Sequence, residues 1–418
     1  MHNQTLNKGY HRVSFALPLL VALGAALPVA ADPRPKIRTG IDVLLTDQIG
    51  LVQGKRLGLV TNTSAVDSQG VTTLDRLRAD PRVQLVQLYS PEHGLRLTGA
   101  NGIGDASGVD PVTQIALEGL NSYRAPSRAS LQRLDVLVFD IQDIGSRTFT
   151  YATTLGKALT AAGKAKIPVL VLDRPNPQGG LIFEGPLIAA AYRSVVGWGP
   201  VPVTHGMTLG ELAQFFNAEL GLHAKLTVVP MQGWRRNHVW EDTGLPWAMP
   251  ATAVTRPHHA HLYAAAGMVG GASVKNADDG VCALHFFERM ATTYADPDRM
   301  AAALNAAQLP GVHFEPVRYT GVHGPRTGRK YAGVHMVVKD AHVLRPLRTA
   351  LAALVWLRQT YPKQFAITNR KHFLRIWGSA AVAAGLKAGW SQQRIEATWA
   401  KELKEFGKVR AKHLLYAE

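Results

Sequence analysis

Apolar residues in the first half of this chain gather into four short runs, and each run ends in polar, chemically useful residues. Leu57-Gly58-Leu59-Val60 leads into Thr61-Asn62, and 83–89 leads into Ser90-Pro91-Glu92-His93-Gly94. Val136-Leu137-Val138-Phe139 leads into Asp140-Ile141-Gln142-Asp143, and 167–172 leads into Asp173-Arg174-Pro175-Asn176-Pro177. Short, β-branched-rich runs separated by helical patterns read as buried parallel strands of an α/β fold. Ligands of an open α/β sheet bind beyond the carboxyl ends of its strands, so the four polar clusters are expected to meet in one crevice.

Between these runs the pattern predicts a short amphipathic segment over 41–45 and helices over 70–78 and 151–162. A long Gly-, Asp- and Ser-rich loop over 97–125 carries a short strand at 114–117, and long ordered loops are often functional. Thr208-Leu209-Gly210-Glu211 has the form of a capping box opening a helix, which makes Glu211 a cap rather than a catalyst. A strand follows at 226–229, and the irregular stretch after Gly244 places a domain boundary near residue 255. The second half predicts a strand over 333–338 and helices over 346–359, 380–386 and 392–406. Pro346 suits a first helical turn, where its missing N–H is no loss. Trp399, Leu403, Phe406 and Val409 recur at helical spacing and are expected in the core. The domain reading is therefore 1–31, 32–255 and 256–418.

The chain has 418 residues, 46% of them apolar and 18% charged, which is a globular composition. Cys282 is the single cysteine, so no internal disulfide forms, and no C-x-x-C or H-E-x-x-H pattern occurs. The first 31 residues have the form of a secretory signal peptide. Lys8, His11 and Arg12 precede an apolar run over 15–27 and the small residues Val29-Ala30-Ala31. The expected mature protein is exported, periplasmic in a Gram-negative source, and without stable membrane insertion after cleavage. The formal charge of +16 suggests an anionic partner such as cell-wall polymer. No basic stretch is interleaved with aromatics, so nucleic acid is not expected.

Several carboxylates stand at strand ends or in turns: Glu92, Asp140, Asp143, Asp173 and Glu184. Two carboxyl groups facing each other across a cleft are the equipment of glycoside hydrolysis, one donating a proton and the other serving water or the developing cation. A nucleophilic serine would need a G-x-S-x-G elbow, and a dinucleotide site would need G-x-G-x-x-G; both are absent. His258, His259 and His261 are close in sequence but read as incidental, so neither metal nor cofactor is expected. His205 stands open between a ligand-binding and a structural role.

Eight segments in this order carry a family resemblance: GKRLGLVTNTS (54–64), LYSPEHGLR (88–96), LDVLVFDIQDIGSRTFTY (134–151), VLDRPNPQGG (171–180), EGPL (184–187), THGMTLGELA (204–213), GWRR (233–236) and TGLPW (243–247). Together with FGKVRAKHLLY (406–416), they resemble the NamZ-type exo-β-N-acetylmuramidases. The resemblance implies a Rossmann-like parallel-sheet N-terminal domain and a smaller C-terminal α/β domain closing a cleft. It also implies release of N-acetylmuramic acid from the non-reducing end of peptidoglycan fragments. On matching positions it implies Glu92 as proton donor, with Asp143, Asp140 and Glu184 competing for the second role. Asn62, His93, Gln142, Arg147, Tyr151, Arg174, Asn176 and His205 would hold the sugar. An arginine among them suits the lactyl carboxylate, because its planar fork matches that group.

The resemblance lapses over 251–280. There the family carries a strand ending Glu-Gly-Thr-Asn and a Ser-Glu-Gly-Arg-Gly-Thr loop. This chain has Gly270-Gly271-Ala272-Ser273-Val274 and Lys275-Asn276-Ala277-Asp278-Asp279-Gly280. Asp278 or Asp279 is the available substitute for the missing glutamates. Two functional classes follow: an exported muramidase or close variant with changed sugar specificity, and a muropeptide-binding relative that has lost catalysis.

Overall fold

The apolar runs form adjacent strands of one sheet in a computed structural model of the chain, which describes residues 37–99, 104–120 and 124–418. The signal-peptide expectation for 1–31 lies outside the described residues. The first sheet contains β1 (Arg56–Thr61), β2 (Gln84–Ser90), β3 (Gly108–Val109), β4 (Ala116–Gly119), β5 (Val136–Asp140), β6 (Val169–Leu172) and β7 (Leu226–Val229). Their order is β3-β4-β2-β1-β5-β6-β7, with every pairing parallel except β3 with β4.

Both faces of this sheet are covered, which is why its central strands read as unbroken apolar runs. The side chains alternate between two cores. Leu137 and Phe139 pack with Leu155, Leu159, Leu212 and Phe216 from the helices Tyr151–Ala165 and Leu209–Glu219. Val136 and Val138 pack on the opposite face with Ile41, Leu44 and Leu77 from the helices Gly40–Thr46 and Thr73–Ala79. Chain order reverses between β1 and β5, where Thr61 pairs with Asp140. That reversal is the switch point at which a crevice opens in such sheets.

The second sheet is antiparallel and contains β8 (Ala277–Asp278), β9 (Arg289–Thr292), β10 (Val312–Thr320) and β11 (Lys330–Val338), in the order β10-β11-β9-β8. One apolar cluster continues from the first sheet through Ala260 and Ala264 of the helix Pro257–Ala266 to Met290, Val334 and Leu354. The helix expected over 392–406 is instead two, Gln392–Ala397 and Ala400–Arg410. Trp399 breaks them at φ −118°, ψ 0°, and its ring is buried in the core. Burying the large indole outweighs continuing the helix through it. Among the described residues, no helix is long and apolar enough to cross a membrane.

Candidate active site

Beyond β2 the chain turns sharply through Pro91-Glu92-His93-Gly94. Gly94 N donates to Pro91 O at 3.0 Å, and His93 and Gly94 both adopt left-handed backbone, at φ 70° and 82°. Such a conformation is uncommon for a histidine and persists only where its surroundings enforce it. Here the His93 carbonyl accepts from Gly99 N at 2.9 Å, and its Nδ1 contacts Gly99 O at 3.0 Å. The turn delivers Glu92 to the crevice, where Thr150 Oγ1 donates to its Oε2 at 2.5 Å. Thr150 immediately precedes the helix Tyr151–Ala165, so the orientation of Glu92 is tied to a rigid element.

Beyond β5, Gln142 and Asp143 enter the same space. Gln142 Nε2 donates to the carbonyls of Asp143 and Pro175, both at 2.8 Å, and Gly145 N donates to Asp143 Oδ2 at 2.8 Å. His205 is fully buried; its Nδ1 accepts from Met207 N at 3.2 Å, which leaves its proton on Nε2, 3.6 Å from Asp143 Oδ2. Gln142 Oε1, Asp143 Oδ1 and His205 Nε2 are buried without a hydrogen-bond partner among the described residues. Unpaired buried polar atoms are costly and rare, and three around one strand end mark a place built for a polar ligand.

Two tyrosines join these groups. Tyr151 Oη accepts from Asn62 Nδ2 at 2.7 Å and donates to Pro250 O at 2.6 Å. Burial, then the charge of Glu92 and also that of Asp143, pushes its phenol far above the usual range. Tyr263 sits in the helix Pro257–Ala266 with its hydroxyl 3.4 Å from Thr148 O. Burial pushes Tyr263 up to about 12, and the charges of Glu92, Asp279 and Asp143 add to the effect. Tyr263 thus senses carboxylates from both sheets.

Of the adjacent pair Asp278 and Asp279, the first is already engaged. It accepts from Tyr319 Oη at 2.7 Å, Arg326 Nη1 at 2.5 Å and Gly280 N at 2.8 Å. Asp279 is buried, and desolvation followed by the neighbouring Asp278 charge raises it to about 6. A π-helical turn over Gly267–Gly271 packs against this pair. A Cβ on Gly270 would lie 2.4 Å from Asp279 N, so only glycine permits that approach.

Other expected site residues are engaged elsewhere. Arg174 grips Asp140 with Nε and Nη2, the latter at 2.9 Å, and donates to Val66 O at 2.6 Å. Thr73 Oγ1 completes Asp140 at 2.5 Å. Asp140 and Arg174, both expected in the site, thus form a buried ion pair with each other. Arg147 is engaged with backbone. Its guanidinium donates to the carbonyls of Pro186, Val201 and Ile376 at 2.8–3.0 Å, and desolvation lowers it to about 9. Glu184 Oε1 accepts from Leu347 N at 2.6 Å at the start of the helix Pro346–Thr360, and burial raises it to about 7. Asn176 shapes its own turn, with Oδ1 accepting from Gln178 N and Nδ2 donating to Met207 O. Glu211 caps its helix as expected.

Comparison with known proteins bears on this geometry. The family model described as exo-beta-N-acetylmuramidase NamZ, N-terminal, matches residues 57–258, and its C-terminal counterpart matches 261–416. The chain belongs to the NamZ exo-β-N-acetylmuramidase family. It is 35% identical over 406 residues to the peptidoglycan beta-N-acetylmuramidase NamZ of Bacillus subtilis (strain 168), covering 95% of this chain and 97% of that protein. A DUF1343 family protein of Bacteroides fragilis NCTC 9343 has the same fold, with TM-score 0.85 and 32% identity over 92% of this chain and all of that one. A second DUF1343 protein from that organism shares the fold alone, with TM-score 0.70 and 22% identity over 92% of this chain and 99% of its own.

Within this family fold, Asn62, Glu92, Gln142, Asp143, Tyr151 and His205 meet at the switch point. Sequence reasoning missed Thr150 and Tyr263. Thr150 lies within the segment 134–151, and its position next to Tyr151 was the available signal. Tyr263 lies between the histidines at 258, 259 and 261, which read as incidental, and an alanine run, so nothing beside it pointed to the crevice.

Proposed function

We propose that this chain is an exported glycosidase that removes N-acetylmuramic acid from the non-reducing end of peptidoglycan fragments. The observation that carries the reading is that Glu92 and Asp143 are both buried at strand ends of a NamZ-family fold, each near enough to Tyr151 and Tyr263 for its charge to raise their phenols. Glu92, oriented by Thr150, donates the proton to the leaving glycosidic oxygen. Asp143 is anchored through Oδ2 and presents Oδ1 to water or to the positive charge developing at the anomeric carbon. His205 Nε2–H and Gln142 Oε1 are a donor and an acceptor for sugar substituents, and Asn62 and Tyr151 set the floor. Asp279 approaches from the second sheet and takes the place of the glutamates absent from 270–280.

The test is release of chromophore from an aryl N-acetylmuramide, with the N-acetylglucosaminide in parallel. Muramide turnover that falls by about 10²-fold or more in Glu92→Gln, with folding unchanged, is the expected result. Tight binding of muropeptide without turnover by the wild type would replace this reading with a binding protein. Export rests on the basic start, apolar run and small residues of 1–31, and requires the secreted protein to begin at Asp32. An N-terminal sequence starting at Met1 would remove it.

A further inference from the structure

The end of β8 places two adjacent carboxylates against one cation. Arg326 Nη1 donates to Asp278 Oδ1 at 2.5 Å and stands 3.9 Å from Asp279 Oδ1. Arg326 arrives from 48 positions further along the chain than Asp278, in the short turn Gly324–Arg326 between β10 and β11. Backbone hooks that turn onto the carboxylate segment. Val322 N and His323 N both donate to Cys282 O, at 2.8 and 3.0 Å. The guanidinium is therefore held in place by its own loop as well as by its ion pair.

The two aspartates are used differently. Asp278 is fully buried, and its other oxygen, Oδ2, accepts from Tyr319 Oη at 2.7 Å and Gly280 N at 2.8 Å. Asp279 lies beyond hydrogen-bond reach of Arg326 and within electrostatic reach of the crevice, since its charge joins those of Glu92 and Asp143 in raising Tyr263. Two neighbouring buried carboxylates resist carrying charge together unless a cation supports them. Among the described residues, no other cation pairs with either one. The remaining titratable groups near the pair are neutral phenols and a thiol: Tyr319 on Asp278, Tyr263 from the helix Pro257–Ala266, and Cys282. The turn Gly267–Gly271 packed on Asp279 brings no titratable side chain. Burial and the Asp278 charge push the Asp279 carboxyl up, and Arg326 opposes both.

We propose that Arg326 is a positioning residue of the crevice, a role that rests on the glycosidase reading above. It ties down Asp278 and supports negative charge on Asp279, which then helps to stabilise the positive charge developing at the anomeric carbon. Arg326 touches no substrate and acts through the two aspartates. The second sheet thus contributes to the reaction through a turn whose only link to the first crevice is electrostatic.

The experiment uses the whole chain. Arg326→Met removes the charge, Arg326→Lys keeps it, and Asp278→Asn removes the competing carboxylate. Wild type and each variant are combined with Asp279→Asn and melted at pH 7.5 and pH 3.5. At pH 7.5, Asp279→Asn should raise Tm more in the Arg326→Met background than in the wild type. At pH 3.5 the two gains should be equal, because a protonated Asp279 carries no charge for Arg326 to support. In the muramide assay, the acid limb of kcat should move up by about one pH unit in Arg326→Met, since Asp279 then keeps its proton longer. The limb should stay in place in Arg326→Lys and move down in Asp278→Asn, with KM changed by less than about threefold. Asp278→Asn retains Arg326, so it gives the same test with the opposite sign where Arg326→Met does not fold.

Equal Tm gains at pH 7.5 in the wild-type and Arg326→Met backgrounds would overturn the coupling, whatever the turnover. An acid limb left in place by Arg326→Met would also overturn the proposal, because Arg326 would then be a structural tie of its turn. A wild type that turns over no muramide would remove the glycosidase reading and the positioning role with it, while the melting cycle would still report whether Arg326 supports the Asp279 charge.

Discussion

Arg174→Ala separates a structural arginine from one that reads substrate. Asp140 has no solvent exposure, and Arg174 supplies two of its hydrogen bonds while also satisfying Val66 O. Removing the guanidinium leaves a carboxylate buried without its countercharge, which costs about 3–5 kcal/mol. The Val66 carbonyl loses its donor as well, worth about 1–3 kcal/mol if water does not enter. A total of about 4–8 kcal/mol is a large part of the roughly 5–15 kcal/mol that holds a domain folded. Urea denaturation followed by circular dichroism should show the loss in the variant. Asp140→Asn in the Arg174→Ala background should recover at least about 1 kcal/mol, because the unpaired partner is then neutral. The reasoning is refuted if Arg174→Ala changes stability by less than about 0.5 kcal/mol while raising KM tenfold for a muramide. Arg174 would then be meeting the sugar carboxylate.

Asp143→Asn should lower kcat by about 10²-fold or more in the muramide assay without lowering Tm, since Gly145 N can still donate to an amide oxygen. Tyr151→Phe should cost about 1–3 kcal/mol in urea denaturation, because Asn62 Nδ2 and the Pro250 carbonyl each lose a partner. Asp279 keeps its proton up to about pH 6 when folded, against 3.8 for an aspartate in water, so its ionisation opposes folding. Its penalty is absent below pH 3.8, grows between 3.8 and about 6, and is complete above that. Asp279→Asn should therefore raise stability by ~1–3 kcal/mol at pH 7.5 and leave it unchanged at pH 3.5, as read from melting at both values. A gain of equal size at both pH values would mean that the charge is not the cause.

Adjacent positions in this chain often have unrelated fates, and local pattern alone does not separate them. Asp140 and Asp143 are three residues apart, yet one is locked to Arg174 and the other presents an unpaired oxygen. Their partners come from residues 174, 145 and 205, and strand pairing determines which side chain each meets. The same holds for Asp278 and Asp279, where Tyr319 of β10 and Arg326 of the turn between β10 and β11 take the first and leave the second. Arg147, placed among sugar-binding residues by its motif, instead joins Pro186, Val201 and Ile376 across 229 positions of sequence.

What the amino-acid sequence alone determined was the parallel sheet, the polar strand ends and several helix starts. Those features follow from local rules. A strand covered on both faces must be apolar throughout, and a cap must sit within three residues of the turn it closes. The second sheet was mostly hidden, because β10 is largely exposed and interrupted by Pro316, while the Ala-rich helix Pro257–Ala266 is buried almost all round and shows no single apolar stripe. Tertiary structure alone decided which carboxylate is engaged, which histidines surround Glu288, and that Tyr263 comes within reach of the Glu92 charge. Each depends on groups far apart in sequence, brought together by a continuous core that buries apolar surface from both sheets.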